Sequence, residues 1–148
     1  MSHAAILEQM RRRITPESYE EIRSLWKKHS IAEDARDIAG LMSTLTEDCV
    51  YELPQTGHSW HGHEGATRFY LSLLEAFPDV HFDLQQIVIG PQGVFEEAHA
   101  TATHKGQWLD RAPTGQAVAF EVLIQFPWDA ERRRFKGERV YFFWDLGS

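Results

Sequence analysis

The sequence predicts one α+β domain in which helices come first and an antiparallel sheet follows. Apolar residues recur at helical spacing as far as Pro78, and from Val80 onward they alternate at strand spacing. Turn signals divide this second half into strands, notably the run Gly90-Pro91-Gln92-Gly93. Helices followed by a meander of strands are typical of an α+β layer fold.

Three helices are predicted in the first half of the chain. Thr15 and Pro16 are typical of an N-cap and a first helical turn, so one helix begins there. A second helix is predicted from about Asp34 and a third from about His63, and Pro78 ends the third. Residues 1–14 are predicted to form an N-terminal arm, and residues 15–148 a single domain without a linker.

Five strands are predicted. The short apolar run 49–53 is ended by Pro54. Four long strands are expected over 80–89, 94–105, 116–126 and 135–144, with residues 106–115 as the longest connection between them.

Charge and composition exclude several classes of partner. The formal net charge of −7 disfavours nucleic acid, because a phosphate backbone would be repelled on average. No stretch approaches the roughly 20 apolar residues of a membrane span, and the N-terminus lacks a signal pattern. The single cysteine, Cys49, has no partner for a disulfide. We therefore expect a cytoplasmic protein.

Six segments, in order along the chain, carry a resemblance to a known family. They are Leu45–Pro54, Gly62-His63-Glu64 with Phe69-Tyr70, Ala76–Asp79, Thr103–Gly106, Pro113-Thr114-Gly115 and Gly137–Phe142. Together they resemble the SnoaL-like polyketide cyclases. These belong to the nuclear-transport-factor-2-like (NTF2-like) superfamily and are related to ketosteroid isomerase.

The resemblance implies a cone-shaped fold. Three N-terminal helices would pack on a strongly curved, mostly antiparallel sheet and enclose a pocket. It also implies homodimers through the outer sheet face. That face would carry Glu121, Leu123, Arg139, Tyr141 and Phe143. The family's two acids fall on apolar positions here, at Leu53 and at Val122 or Ile124. The family's reaction therefore cannot simply be transferred to this chain.

Alternation along the strands selects two candidate catalytic residues. Val122 and its even-numbered neighbours form the apolar face of their strand. A tight hairpin pairs Val122 roughly with Glu138, which places Glu138 on the same face. A carboxyl group among apolar side chains can act as a general acid or base, although a neighbouring arginine or hydroxyl would make it structural. A row of alanines places His104 on this face too, and its alternative role is a capping histidine.

Other residues are predicted to line the pocket or assist the reaction. Tyr51 is a candidate hydroxyl donor to a carbonyl oxygen, although core packing is its more common role. The predicted ligand-binding residues are Trp26, Leu53, Glu96, Trp108, Val122 and Phe142.

No metal or other cofactor is predicted. His58, His61 and His63 lie within six residues, but the segment has no evident fourth ligand and no rigid frame. Any zinc bound there is expected to bind weakly.

The favoured interpretation is a cofactor-independent enzyme acting on a small apolar carbonyl compound. The expected chemistry is an aldol-type cyclisation or an isomerisation, with His104 or Glu138 moving the proton and Tyr51 supporting the oxyanion. The alternative is a non-catalytic small-ligand-binding protein or dimeric accessory protein of the same fold. An epoxide hydrolase is less favoured, because the Asp-Arg-Asp arrangement it needs is not visible in the sequence.

Overall fold

The computed structural model describes residues 1–144, which form four helices and six strands. The helices are α1 (His3–Arg11), α2 (Pro16–Asp34), α3 (Ile38–Met42) and α4 (Gly62–Ala76). The strands are β1 (Leu45–Leu53), β2 (His58–His61), β3 (His81–Gly90), β4 (Gly93–Thr103), β5 (Ala117–Asp129) and β6 (Arg134–Phe143).

All six strands belong to one sheet, in the order β2-β1-β6-β5-β4-β3. Only the β1–β6 pairing is parallel, and the other neighbours run antiparallel. Helix α4 packs on β1 and β2, while α2 contacts β3 and β4. The predicted α+β class, with helices covering a mostly antiparallel sheet, is confirmed.

A bulge at Gly137 sets which side chains of β6 face the helices. Phe135 and Glu138 are both buried, although residues three apart on a regular strand face opposite sides. The pairing of β5 with β6 shifts by one residue between Gln125 and Trp128, so β6 holds the extra residue. Gly137 has φ 122°, and a Cβ atom there would lie 1.9 Å from the Val50 carbonyl oxygen. Only glycine fits this position.

The structure corrects the predicted second helix. Helix α2 continues through Asp34, and the chain turns at Arg36, whose φ is 57°. Asp37 then caps the short α3 by accepting from the amide of Gly40. Helical spacing continued across this turn, so periodicity alone could not locate the break.

Strand β2 and the length of β1 were also not predicted. Strand β1 begins at Leu45, four residues before the predicted start, and β2 occupies a segment in which no strand is predicted. The exposed polar side chains of β2 give no alternating pattern. At the N-terminus, the predicted arm contains α1, and the Arg12 side chain donates to the carbonyl of Pro91 at 3.2 Å. The domain boundary between residues 14 and 15 stays a prediction.

Among residues 1–144, no helix combines the length and apolar character needed to cross a membrane.

Candidate active site

Helix α2 carries polar side chains on the face that meets the sheet. Ile22, Trp26, His29 and Glu33 follow one another at intervals of four, three and four residues, so they share one side of the helix. Ile22 and His29 are fully buried, with exposed fractions of 0% and 2%. An imidazole and a carboxyl group on a buried helical face need partners from the sheet, because burying a polar group without hydrogen bonds is costly.

Thr44 fixes the tautomer of His29. The Thr44 hydroxyl donates its only proton to the Leu41 carbonyl at 2.7 Å, so it can only accept from His29. His29 Nδ1 lies 2.7 Å from that hydroxyl oxygen and must therefore carry a proton. The other ring nitrogen, Nε2, contacts Tyr70 on α4 and Glu138 on β6.

His29 and Glu138 share a single proton. Nε2 of His29 lies 3.1 Å from Oε2 of Glu138, and both side chains are almost completely buried. Two lone pairs would repel at this distance, so a proton lies between them, either on the imidazole or on the carboxyl group. The Tyr70 hydroxyl donates to the same Oε2 at 2.7 Å. The two side chains are therefore joined by a hydrogen bond in a buried environment at the junction of α2 and β6.

Two tyrosines extend this network. The Tyr51 hydroxyl lies 3.0 Å from the Tyr70 hydroxyl, and burial raises the pKa of both phenols well above 10. The negative charge of Glu138 raises both pKa values further. Both hydroxyls are therefore neutral at physiological pH, and each has one proton to donate.

Two further carboxyl groups lie near Glu138. Loss of solvation raises the pKa of Glu33 to about 8, and the charge of Glu138 adds to the effect while His29 opposes it. Burial followed by the charge of Glu138 also raises the pKa of Glu96 to about 8. The Trp26 indole donates to Glu96 at 3.0 Å and partly offsets this. At neutral pH both groups are mainly neutral carboxylic acids, which can donate hydrogen bonds.

The polar cluster opens onto a narrow apolar space, which we call the inner cavity. Its lining residues are Glu33, Phe69, Tyr70, Leu73, Phe82, Val122, Ile124, Glu138, Val140 and Phe142. Its volume is about 10 Å³, which is room for about one water molecule. A molecule larger than water can therefore enter only after a lining side chain has moved.

A second and more open space, the outer pocket, lies beyond Phe142, which lines both. It has a volume of about 240 Å³. Its lining residues are Leu53, Gln55, Thr56, Trp108, Leu109, Arg111, Phe142 and Trp144.

The structure divides the predicted site residues among several locations. Glu138 lines the inner cavity, and the Tyr51 hydroxyl contacts the Tyr70 hydroxyl behind the lining. Val122 lines the inner cavity, Leu53 and Trp108 line the outer pocket, and Phe142 lines both. Trp26 and Glu96 form a hydrogen-bonded pair between α2 and β4.

His104 lies apart from the polar cluster. Its ring is 1% exposed and packs against Phe77 and Trp144, with ring centroids 5.2 and 5.5 Å away. Within residues 1–144 neither ring nitrogen has a hydrogen-bond partner. His104 lines neither the inner cavity nor the outer pocket.

Three members of the polar cluster were not selected from the sequence: His29, Glu33 and Tyr70. His29 and Tyr70 each recur at helical spacing with apolar residues, so periodicity alone does not distinguish them from core positions. One signal in the sequence could have identified His29 and Glu33. His29 is a titratable residue on the apolar side of a predicted helix, and Glu33 follows it one helical turn later.

The cluster also has the composition of a cation site. One ligand atom each from His29, Glu33 and Glu138 lies within 4.8 Å of the others. The hydrogen bonds described above already account for the close approach of the imidazole and Glu138, with a proton in the place of a metal. His58, His61 and His63 make separate contacts, with Thr56, Ser59 and the Leu45 carbonyl respectively. The absence of a metal stays a prediction, which elemental analysis of tag-free protein would test.

Comparison with known proteins identifies the family. The sequence model of the SnoaL-like polyketide cyclases matches residues 20–133. The chain belongs to this family. The match spans the polar cluster, except for Glu138, and all strands as far as β5. The sequence has no match among curated proteins.

Solved structures show the same fold at low sequence identity. A protein from Jannaschia sp. CCS1, assigned as a SnoaL-like polyketide cyclase, superposes with a TM-score of 0.77 at 16% identity, covering 89% of this chain and 91% of that one. IdmH from Streptomyces antibioticus, assigned as a polyketide cyclase, superposes with a TM-score of 0.66 at 20% identity. The match covers 82% of this chain and 91% of IdmH. A protein from Kribbella flavida DSM 17836, assigned as a ketosteroid isomerase, superposes with a TM-score of 0.62 at 17% identity. The match covers 88% of this chain and 83% of that one. These matches support the NTF2-like fold.

Proposed function

We propose that this SnoaL-like protein is a small-molecule enzyme that removes and returns a proton beside the carbonyl group of an apolar substrate. The observation that carries the proposal is the buried contact of 3.1 Å between Nε2 of His29 and Oε2 of Glu138, which lines the inner cavity. Perturbed titratable groups gathered at a cavity mark candidate active sites. Membership of a family named for polyketide cyclases supports a reaction of this class.

Glu138 is assigned as the group that takes the substrate's proton. The hydrogen bonds from Tyr70 and His29 both reach Oε2, so Oε1 is left to accept a proton from carbon. The C–H bond breaks, the proton passes to Oε1, and the bonding electrons move into the carbonyl group to give an enolate. If a C=C bond lies beside the carbon that lost its proton, return of the proton from Glu138 to the far end of that double bond gives isomerisation. If the enolate attacks a second carbonyl, the oxygen of that carbonyl takes the proton from Glu138 and the product is an aldol-type ring.

Glu33 is assigned as the donor to the enolate oxygen. It lines the inner cavity, and its pKa of about 8 keeps it a neutral acid at physiological pH. A neutral carboxylic acid can donate a hydrogen bond to a developing oxyanion without bringing a second negative charge beside Glu138. Tyr51 acts through Tyr70 and is a positioning residue in this scheme.

The proposal requires no cofactor, and it is tested by hydrogen–deuterium exchange. The probe is 2-tetralone, an apolar ketone with acidic protons beside its carbonyl group, in deuterated buffer monitored by proton NMR. The wild-type protein should accelerate exchange above the buffer rate. Glu138→Gln should lower that acceleration by about 10³-fold, because the amide cannot accept the proton.

Glu64→Gln provides the matched control for this experiment. Glu64 lies on α4 with its side chain 90% exposed, away from the inner cavity, so the same chemical change should leave exchange unaltered. Equal exchange rates for wild type and Glu138→Gln would rule out Glu138 as the base.

The small inner cavity favours one alternative, a non-catalytic ligand-binding or accessory protein. A space with room for about one water molecule is not built around a substrate in this conformation. Binding of 2-tetralone without any exchange above the buffer rate would support this alternative.

We also propose that the protein is a homodimer that uses the outer sheet face. Val88, Phe95 and Phe143 are exposed there by 62%, 43% and 57% in the single chain. Exposed apolar side chains gathered on one sheet face are typical of an interaction surface.

Light scattering tests the dimer, since one chain has a mass of 17.1 kDa. We expect a species of twice that mass for wild type and a shift toward the monomer for Phe143→Glu. Leu71→Glu, at a residue 54% exposed on α4, is the control and should remain dimeric. A wild-type monomer at micromolar concentration would contradict the proposal.

A further inference from the structure

The outer pocket has the chemistry of a site for an anionic aromatic molecule. Trp108, Phe142 and Trp144 provide aromatic surfaces, and the ring centroids of Trp108 and Phe142 lie 5.9 Å apart in an edge-to-face arrangement. Such surfaces favour a flat apolar ring. No described residue that lines the pocket is acidic, although the sequence contains 22 aspartates and glutamates.

Arg111 supplies a positive charge at this pocket. Its guanidinium carbon lies 5.6 Å from the centroid of the Trp144 ring, so the cation stacks on the indole. Within residues 1–144 the Arg111 side chain forms no ion pair. The arginines that do form ion pairs there are Arg23, Arg68, Arg132, Arg133 and Arg139. A guanidinium stacked on an indole keeps its N–H edge free for a carboxylate.

Gln55 adds a second donor to the pocket. Its Oε1 atom accepts from the backbone amide of Phe142 at 2.8 Å, which fixes the orientation of the side chain. The amide nitrogen then remains as a donor. Arg111 and Gln55 therefore both offer N–H groups to the same space, an arrangement that fits an anion.

The loop that presents Trp108 and Arg111 is held in a strained conformation. The two residues exchange backbone hydrogen bonds of 3.0 and 2.8 Å, and Leu109 between them has φ 54°. A leucine at positive φ costs of the order of 1–2 kcal/mol. Such strain tends to persist where it holds a binding surface in place.

We propose that the outer pocket binds an aromatic ring bearing a carboxylate, with the carboxylate on Arg111 and Gln55. Phe142 lines both the outer pocket and the inner cavity, and it lies four residues from Glu138 on β6, roughly 13 Å at strand rise. The substrate is therefore an elongated apolar molecule with an anionic end at Arg111 and an enolisable carbonyl at Glu138. This identification of the bound molecule as substrate rests on the proposed function, whereas the binding site does not.

The test compares two probes that differ only in charge, 2-naphthoate and 2-naphthamide. Calorimetry with the full chain should show at least tenfold tighter binding of 2-naphthoate. Arg111→Gln should remove this preference. Arg68→Gln is the matched control, because Arg68 lies on α4 in an exposed pair with Glu64 and the net charge changes equally. Equal affinities of wild type for both probes, or an unaltered preference in Arg111→Gln, would overturn the proposal.

Nuclear magnetic resonance locates the site independently. The chain has five tryptophans, and we expect 2-naphthoate to shift the indole N–H signals of Trp108 and Trp144, assigned by Trp→Phe variants. Shifts confined to other indoles would contradict the location. The two proposals can fail separately. Tighter binding of 2-naphthoate than of 2-naphthamide, without 2-tetralone exchange above the buffer rate, would reject only the proposed enzymatic activity. Exchange without discrimination would reject only the anionic subsite.

Discussion

The two buried histidines of this protein have opposite surroundings. His29 and His104 are 2% and 1% exposed, so both imidazoles are removed from solvent. His29 contacts Thr44, Tyr70 and Glu138 through its two ring nitrogens. His104 packs among aromatic rings, and within residues 1–144 neither of its nitrogens has a partner.

The difference shows that burial alone does not give a histidine a chemical role. A proton moves between groups only when donor and acceptor lie within hydrogen-bonding distance. His29 meets this condition through Glu138, whereas His104 behaves as a small aromatic side chain in the described part of the structure. The comparison therefore predicts a large difference between equivalent substitutions at the two positions.

The largest expected effect beyond that of Glu138→Gln follows from His29→Gln. Glutamine can still donate a hydrogen bond to Glu138, but it cannot carry the transferable proton. We expect the exchange of 2-tetralone to fall by roughly 100-fold. Circular dichroism would confirm that the variant is folded. A folded variant with wild-type exchange would show that Glu138 acts without His29.

A smaller effect is expected when His29 is kept but its orientation is loosened. Thr44→Val has the same shape but removes the oxygen that accepts from Nδ1 of His29. We expect a loss of about tenfold in exchange and a displaced pH profile, because Nδ1 and Nε2 then compete for the proton. Thr44→Ser retains the hydroxyl and should restore both rate and profile. An unchanged pH profile of exchange in Thr44→Val would show that Thr44 contributes only packing and does not orient His29.

The strands and the face of Glu138 could be predicted from the sequence because side-chain alternation has a period of two. The predicted hairpin placed Val122 opposite Glu138, whereas the structure pairs Val122 with Phe142. The error of four residues is even, so the face assigned to Glu138 is unchanged. The bulge at Gly137 was not predicted, and it allows Phe135 and Glu138 to lie on the same side.

The polar cluster could not be assembled from the sequence because its members come from four separate elements. His29 and Glu33 lie on α2, Tyr51 on β1, Tyr70 on α4 and Glu138 on β6. Periodicity assigns each residue to a face of its own element, but it does not give the distance between elements. The turn after Asp34 and strand β2 could not be predicted for a similar reason. The Asp37 cap and the pairing of β2 with β1 are contacts that leave no periodic pattern in the sequence.

Glu33 provides a test in which stability changes with pH. Its pKa is about 8 in the folded protein, whereas the ordinary value, which applies to the unfolded chain, is 4.5. As pH rises, the unfolded chain therefore loses this proton first. The stability contributed by this group is fully present below pH 4.5 and is lost as pH rises toward 8. Glu33→Gln removes the titration. Relative to wild type, the variant should gain more stability at pH 8 than at pH 5.

The expected gain is about 1–2 kcal/mol, or roughly 3–6 °C in Tm for a chain of this size. Thermal unfolding of wild type and Glu33→Gln at pH 5 and pH 8 measures this gain. Subtracting the wild-type value from the variant value at each pH removes the contribution of the other carboxyl groups, which both proteins share. Glu64→Gln, at a side chain 90% exposed, is the control and should show no such pH dependence. A Glu33→Gln difference that is constant with pH would mean that Glu33 titrates normally.

The smallest effect is expected at the second buried histidine. His104→Phe keeps an aromatic ring between Phe77 and Trp144 and removes two nitrogens that have no partner within residues 1–144. Exchange of 2-tetralone should stay within about twofold of wild type, because His104 lines neither space. Stability should be unchanged or rise by about 1 kcal/mol, since a polar atom without a hydrogen bond is costly to bury. A folded His104→Phe variant that loses more than tenfold in exchange would instead identify His104 as a proton carrier, and it would reverse the contrast between the two histidines.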